Sequence, residues 1–287
     1  MPKIAIVTDS TASCSETMIG NVPVFSVPLD VVWGEDTFQD GVTLFPDEFY
    51  EKIKTATVMP TTSQPSPQAF YDVYKKLLDE GYEVISIHIS MGISGTINSA
   101  IQAKKMLGED APIEIHDSFV TAMVLKMLLI EAAEAIEAGK SLKEVVDVVQ
   151  SARERCHVYF TVETLEFLER GGRMTRLQAF AGNLLQIRPI LTFEDGKIES
   201  IEKARTFKGA LKALKGYCVE GMQGKKVRNF VATYTDNEKF VTGFYNNLLE
   251  EVGIEKPEKA FIDPLTPVIG THTGPGCIGL AFMLEEE

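Results

Sequence analysis

Apolar positions along this chain recur with two periods, and the order in which those periods alternate predicts the architecture. Short aliphatic runs of strand length lead into polar or small-residue loops, then into stretches with apolar residues three and four apart. Ile4–Val7 is the first such run and ends in Thr8-Asp9-Ser10-Thr11. Val22–Trp33 is a second extended run, broken by Pro23 and Pro28, which predicts an edge strand or two short strands. Pro46 opens a helix through Phe49, Tyr50 and Ile53. Pro67, set behind a Ser66 cap, opens another with Phe70, Val73, Tyr74 and Leu77 along one face. Val84, Ile85, Ile87 and Ile89 predict a buried strand, and Ile97, Ile101 and Leu107 a helix. Ile113–Asp117 reads as a further short strand, followed by helices over about 118–138 and 141–155. Strand and helix alternate throughout, the pattern of a mostly parallel sheet covered by helices.

Near residue 156 the pattern changes. Val158–Val162 reads as a strand, and the helix after it stops at Glu169-Arg170-Gly171-Gly172-Arg173, where the glycine pair is a natural terminator. Ile190–Ile201 contains two alternating runs around Asp195-Gly196, a hairpin signal. A helix over 207–220, a strand over 227–234, a helix over 237–252 and a strand near Ala260–Ile262 follow. A final strand pair is expected around Val268–Leu284. The division is therefore an α/β domain over 1–156 and an α+β domain with antiparallel strands over 157–287. No linker rich in Gly, Pro or Ser separates them, so firm packing of the halves is expected.

Composition narrows the function classes. With 45% hydrophobic and 24% charged residues the chain is an ordinary globular protein with ample length for a core. A net charge of −13 argues against nucleic-acid binding, which needs a basic face. Cys14, Cys156, Cys218 and Cys277 lack CxxC or His-partnered spacing, so reduced cysteines and no zinc site are expected. The opening Met-Pro-Lys-Ile-Ala-Ile-Val enters a strand directly, and the apolar stretch Val120–Ile136 is interrupted by Lys126, Glu131 and Glu134. Neither a signal peptide nor a membrane span is expected, and the location expected is cytoplasmic. All eight arginines lie between Arg153 and Arg228, and the guanidinium fork suits phosphates and carboxylates.

Candidate chemistry centres on residues 84–100, a strand, a Ser- and Gly-rich turn and a helix start. Ligands of α/β sheets sit at such junctions. The hydroxyls of Ser90 and Ser94, with amides near Thr96, could hold an anion; equally, the stretch could be a plain turn with a Ser or Thr cap. Gly274-Pro-Gly276-Cys-Ile-Gly279 matches a dinucleotide-binding pattern literally, but too little chain follows it to complete that unit. There is no phosphate-binding G-x-x-x-x-G-K-[ST] loop. Gly92-Ile93-Ser94-Gly95-Thr96 nearly forms a nucleophile elbow, and Ser94, Asp117 and His272 occur in hydrolase order, so a serine hydrolase is the rival reading.

Five stretches together resemble the DegV family of bacterial fatty-acid-binding proteins. They are Ile6-Val-Thr-Asp-Ser-Thr11; Thr62-Ser-Gln-Pro-Ser66; Ile89-Ser-Met-Gly-Ile-Ser-Gly-Thr96 with Asn98-Ser-Ala100; Leu168-Glu-Arg-Gly-Gly-Arg173; and Thr271-His-Thr-Gly-Pro-Gly276. Gly182–Ile190 and Lys203-Ala-Arg205 fit as well. The resemblance implies a two-domain α/β fold holding one long-chain fatty acid between the domains, its tail in an apolar tunnel and no cofactor bound. It implies a carboxylate site at Thr62, Ser63, Ser94, Gly95 and His272. It further implies a non-catalytic carrier that presents the carboxylate to a separate fatty acid kinase for acyl-phosphate formation in phospholipid metabolism. Arg170, Arg173 and Arg205 would then meet the kinase or its phosphates. Transient membrane contact is compatible with this role, as is a lipid carrier with no kinase partner. Glu169, where the family often has Lys, and Phe119–Val124 depart from the family pattern.

Overall fold

The computed structural model describes residues 3–14, 18–174, 187–257 and 259–286. In chain order the elements begin with strands β1 (Lys3–Asp9), β2 (Met18–Ile19), β3 (Val22–Val27), β4 (Asp30–Trp33) and β5 (Asp36–Gln39). Next come helix α1 (Pro46–Ile53), β6 (Thr61–Ser63), α2 (Pro67–Asp79), β7 (Tyr82–His88), α3 (Thr96–Leu107) and β8 (Ile113–Asp117). Helices α4 (Ala122–Glu137) and α5 (Leu142–Glu154) lead to β9 (Cys156–Thr161), α6 (Glu166–Arg170), β10 (Arg188–Glu194) and β11 (Lys197–Ala204). The chain ends with α7 (Phe207–Met222), β12 (Val227–Tyr234), α8 (Glu238–Val252), β13 (Ile262–Pro264), α9 (Pro267–Thr273) and β14 (Ile278–Leu284).

Two compact units emerge. The first comprises Met1–Leu44 and Pro60–Glu154, the second Phe45–Met59 and Arg155–Glu287. In the first, a five-stranded sheet runs β2-β3-β1-β7-β8, with β3, β1, β7 and β8 mutually parallel and the short β2 antiparallel at one edge. Strand β1 has a parallel neighbour on each side, and from Ile4 to Asp9 every residue is buried. That is why it reads as a continuous apolar run rather than an alternating one. Helix α2 packs Phe70, Tyr74 and Leu77 on Val84 and Ile113. Its start is as the sequence predicts: Pro67 occupies the first turn and Ser66 Oγ accepts the Ala69 amide at 3.2 Å. Val22–Trp33 resolves into two short strands, β3 in the large sheet and β4 between β5 and β6 in a three-stranded one.

The second unit is built on a six-stranded sheet, β11-β10-β9-β14-β12-β13, antiparallel except for the β12–β13 pair. Asp195 and Gly196 both take positive φ (49° and 74°), the backbone that a tight hairpin between β10 and β11 requires. Leu214 and Cys218 of α7 and Tyr245 and Leu248 of α8 join Phe230 and Phe282 in the core. The Tyr245 hydroxyl donates to the Phe230 carbonyl at 2.6 Å, and the two rings stack 4.8 Å apart.

One expected strand is a helix. Residues 267–273 form α9, so the final strand pair reduces to β14 alone. Pro267 starts the helix, and six of its seven residues are buried, leaving no polar face to mark a helical period. Helix α1 packs against α9 in this unit: Gly270 leaves no room for a Cβ beside the rings of Phe49 and Tyr50, and the Tyr50 hydroxyl donates to Leu265 O at 3.1 Å.

Candidate functional site

In the first unit, the stretch after β7 is a tightly bonded turn. Ser90 is buried; its amide donates to Val120 O at 2.8 Å, and its carbonyl accepts from Ile93 N and Ser94 N at 3.2 and 3.0 Å. The Ser90 hydroxyl accepts the Gly92 amide at 3.0 Å. Ser94 lies at the entrance to α3, its hydroxyl 2.8 Å from Thr96 Oγ1 and accepting the Thr96 amide at 3.3 Å. Two side-chain hydroxyls and the first amides of a helix thus converge on the carboxyl edge of the sheet. Such an arrangement suits an anion, because the donors are neutral and the helix end carries partial positive charge.

Thr62 and Ser63 lie on β6, paired with Val31 and Asp30 of β4. They do not cap α2; Ser66 does. Gln64, the next residue, reaches the Ser94 turn: its Nε2 donates to Ser99 Oγ at 3.0 Å, and its carboxamide lies so close to Gly95 that any Cβ there would collide with it. Gly95 has an ordinary φ of −84°, so its lack of a side chain serves close approach and not backbone conformation. Gln64 therefore ties the Thr62–Ser66 and Ser94–Thr96 stretches together, a link that sequence reasoning missed.

Asp117 serves the backbone. Its carboxylate accepts from Phe119 N at 2.8 Å and from Met91 N at 3.3 Å. Phe119 and Ala122 adopt left-handed φ values of 56° and 53°, and the Asp117–Phe119 bond helps hold the first of them. In a triad Asp117 would instead orient a histidine and Ser94 would donate to one. Their described partners are loop amides and Thr96.

In the second unit, His272 is on α9 and its ring lies against Gly171, where a Cβ would run into Nδ1. Burial, aided by the positive charge of Arg173, lowers its pKa to about 4, so the imidazole is neutral at physiological pH. Arg173 is half-buried, its guanidinium donates to Gly171 O, and burial lowers its pKa too. The Leu168–Arg173 and Thr271–Gly276 stretches thus form one cluster. Gly274, at φ 69° and against the Phe167 ring, could not be replaced by a larger residue. Arg170 is exposed and pairs with Glu166 at 2.6 Å; Arg205 is exposed between β11 and α7. Within the Gly182–Ile190 stretch, residues 182–186 lie outside the described residues. Among the described residues, no group of three or more His, Cys, Asp or Glu side chains could hold a metal, and no helix is long and apolar enough to cross a membrane.

The family model described as "Uncharacterised protein, DegV family" matches residues 3–285. A DegV domain-containing protein of Halalkalibacterium halodurans is 37% identical over 290 residues, covering 100% of both chains. Among solved structures, one described as fatty acid binding of a DegV family protein from Thermus thermophilus superimposes with a TM-score of 0.90 at 33% identity, covering 99% of this chain and 100% of its own. Another, described as DegV, a fatty acid binding protein from Bacillus subtilis, gives 0.88 at 32% identity over the same shares.

Proposed function

This chain belongs to the DegV family, and from that premise we propose that it binds one long-chain fatty acid and is itself no catalyst. The observation that carries the reading is end-to-end similarity to solved structures described as fatty-acid-binding. The hydroxyls of Thr62, Ser63 and Ser94, with the backbone at Gly95 and neutral His272, hold the carboxylate. Neutral donors suit a carrier whose ligand must react later, because they bind a carboxylate without locking both oxygens into a bidentate ion pair. The bound carboxylate is presented to a separate fatty acid kinase, with Arg170, Arg173 and Arg205 meeting the kinase or its phosphates. No cofactor takes part.

Organic extraction of the purified protein followed by mass spectrometry tests the binding step. About one fatty acid per chain is expected, because burying roughly 14 methylenes of a C16 tail is worth about 11 kcal/mol gross. Recovery of no lipid, with no thermal stabilisation by added palmitate or oleate, refutes it. Acyl-phosphate formation with a separate fatty acid kinase present tests the presentation step separately.

A further inference from the structure

Strand β1 lies at the centre of the first unit's sheet, with β3 on one side and β7 on the other. The chain runs from β1 to β3 and comes back to β7 only later. The carboxyl ends of β1 and β7 therefore flank the point where the strand order reverses, the place at which open α/β sheets take their ligands. Asp9 and His88 are the final residues of these two strands. Both are fully buried, and His88 Nδ1 lies 3.1 Å from Asp9 Oδ2. Across the ring, Nε2 lies 2.6 Å from Ser86 Oγ, which lies 2.6 Å from Tyr74 Oη. Ser86 and Tyr74 are fully buried as well, and the Phe70 ring meets the imidazole edge-on with centroids 5.0 Å apart.

Hydrogen-bond accounting gives this chain one direction. Asp9 is ringed by donors: Thr11 N at 3.1 Å and Thr11 Oγ1 at 2.5 Å on one oxygen, Ile89 N at 2.9 Å and His88 on the other. A carboxylate only accepts, so His88 carries its proton on Nδ1. Nε2 then accepts from the Ser86 hydroxyl, and Ser86 Oγ accepts from Tyr74. Every proton along the line has an acceptor. Run the other way, the line would end on a Tyr74 proton for which the described hydrogen bonds offer no acceptor, a costly state in a dry interior. The order acid, base, hydroxyl is that of a hydrolase triad. Ser86 is sealed from solvent with its oxygen already engaged by Tyr74, so it serves no substrate.

We infer that Asp9 is a positioning residue for the fatty-acid head group, oriented by the His88–Ser86–Tyr74 chain; this rests on the fatty-acid reading above. The mechanical link is short. Asp9 holds the amide of Ile89, the residue immediately before Ser90, and Ser90 in turn holds the amides of Gly92, Ile93 and Ser94. Asp9 is thus the fixed point from which the carboxylate-binding turn is hung. Replacing it by Asn puts an NH2 opposite the donors of Thr11 or opposite those of Ile89 and His88, and in the second placement His88 must also reverse its tautomer.

The test compares the full-length wild type with Asp9→Asn, measuring affinity for palmitate and for hexadecanol, which has the same tail without the carboxylate. A role confined to folding would weaken both ligands alike. A positioning role should cut the preference for the acid by about tenfold while leaving alcohol affinity within about twofold, since only the head-group contacts change. Nitrogen-15 NMR of the ligand-free wild type should show His88 protonated on Nδ1 and bare on Nε2. Should Asp9→Asn fail to fold, Ser86→Ala cuts the chain in its middle and is read by the same ratio. An unchanged acid-to-alcohol ratio, or an Nε2–H tautomer in the wild type, overturns the inference. A wild type that binds neither ligand overturns instead the fatty-acid reading beneath it.

Discussion

Gly95→Ala should change sign with its background. Position 95 has φ −84° and ψ 7°, a conformation that alanine adopts without strain. In isolation, the substitution should therefore stabilise by about 0.4–1 kcal/mol through the unfolded chain. The new Cβ, however, would occupy the place of the Gln64 carboxamide, which must swing away and give up its 3.0 Å bond to Ser99 Oγ. A side-chain hydrogen bond of this kind is worth about 0.5–1.5 kcal/mol. In the wild-type background the two terms roughly cancel or leave a small net loss. With Gln64→Ala already in place there is no carboxamide to displace, and Gly95→Ala should be a clear gain. Urea unfolding of the four proteins in this cycle measures the coupling, expected at about 0.5–1.5 kcal/mol. Identical effects of Gly95→Ala in both backgrounds would show that Gln64 does not brace the turn.

Ser94→Ala and Thr62→Val should leave most of the lipid bound, because one hydroxyl contact contributes only about 1.5–3 kcal/mol against a far larger tail contribution. The same variants should lower acyl-phosphate formation with a kinase much more, and Arg170→Ala and Arg173→Ala should lower it while sparing lipid content; occupancy and phosphorylation falling in parallel at Ser94 would leave its hydroxyl a binding role only. His272 has a folded-state pKa near 4, below the ordinary imidazole value, so between about 6.5 and 4 the unfolded chain takes up a proton that the folded chain refuses. Stability should therefore fall as pH drops through that window, and His272→Gln should flatten this part of the curve; an unaltered slope in denaturant titrations would count against a buried neutral imidazole.

Legibility followed the range of the interactions involved. The Ser66–Pro67 helix start and the Asp195–Gly196 hairpin are local, each written in two adjacent residues, and both appear where the sequence predicts them. The buried parallel strands were equally plain, since the aliphatic runs Ile4–Val7 of β1 and Val84-Ile85 with Ile87 of β7 are buried. Helix α9 was not, because burial on nearly all sides removes the polar stripe that separates a helix from a strand. At the site, Ser94 and His272 could be singled out by motif. The Gln64–Gly95 approach and the Asp9–His88 pair could not, since each joins residues whose nearness is a product of the sheet and not of spacing.

The placement of α1 carries a consequence for how the protein is made. Phe49 and Tyr50 leave the ribosome early, yet Leu265 and Gly270, which cover them, are synthesised only after the whole of residues 60–154. Until then the nascent chain displays an aromatic pair whose partner does not exist. Expression of residues 1–156 alone would make that exposure permanent, and a fragment beginning at residue 157 would lack the rings that fill the space beside Gly270. The second unit's core is therefore encoded in two separate stretches of the gene, and a cut at the middle of the sequence divides that folding unit while appearing to separate two.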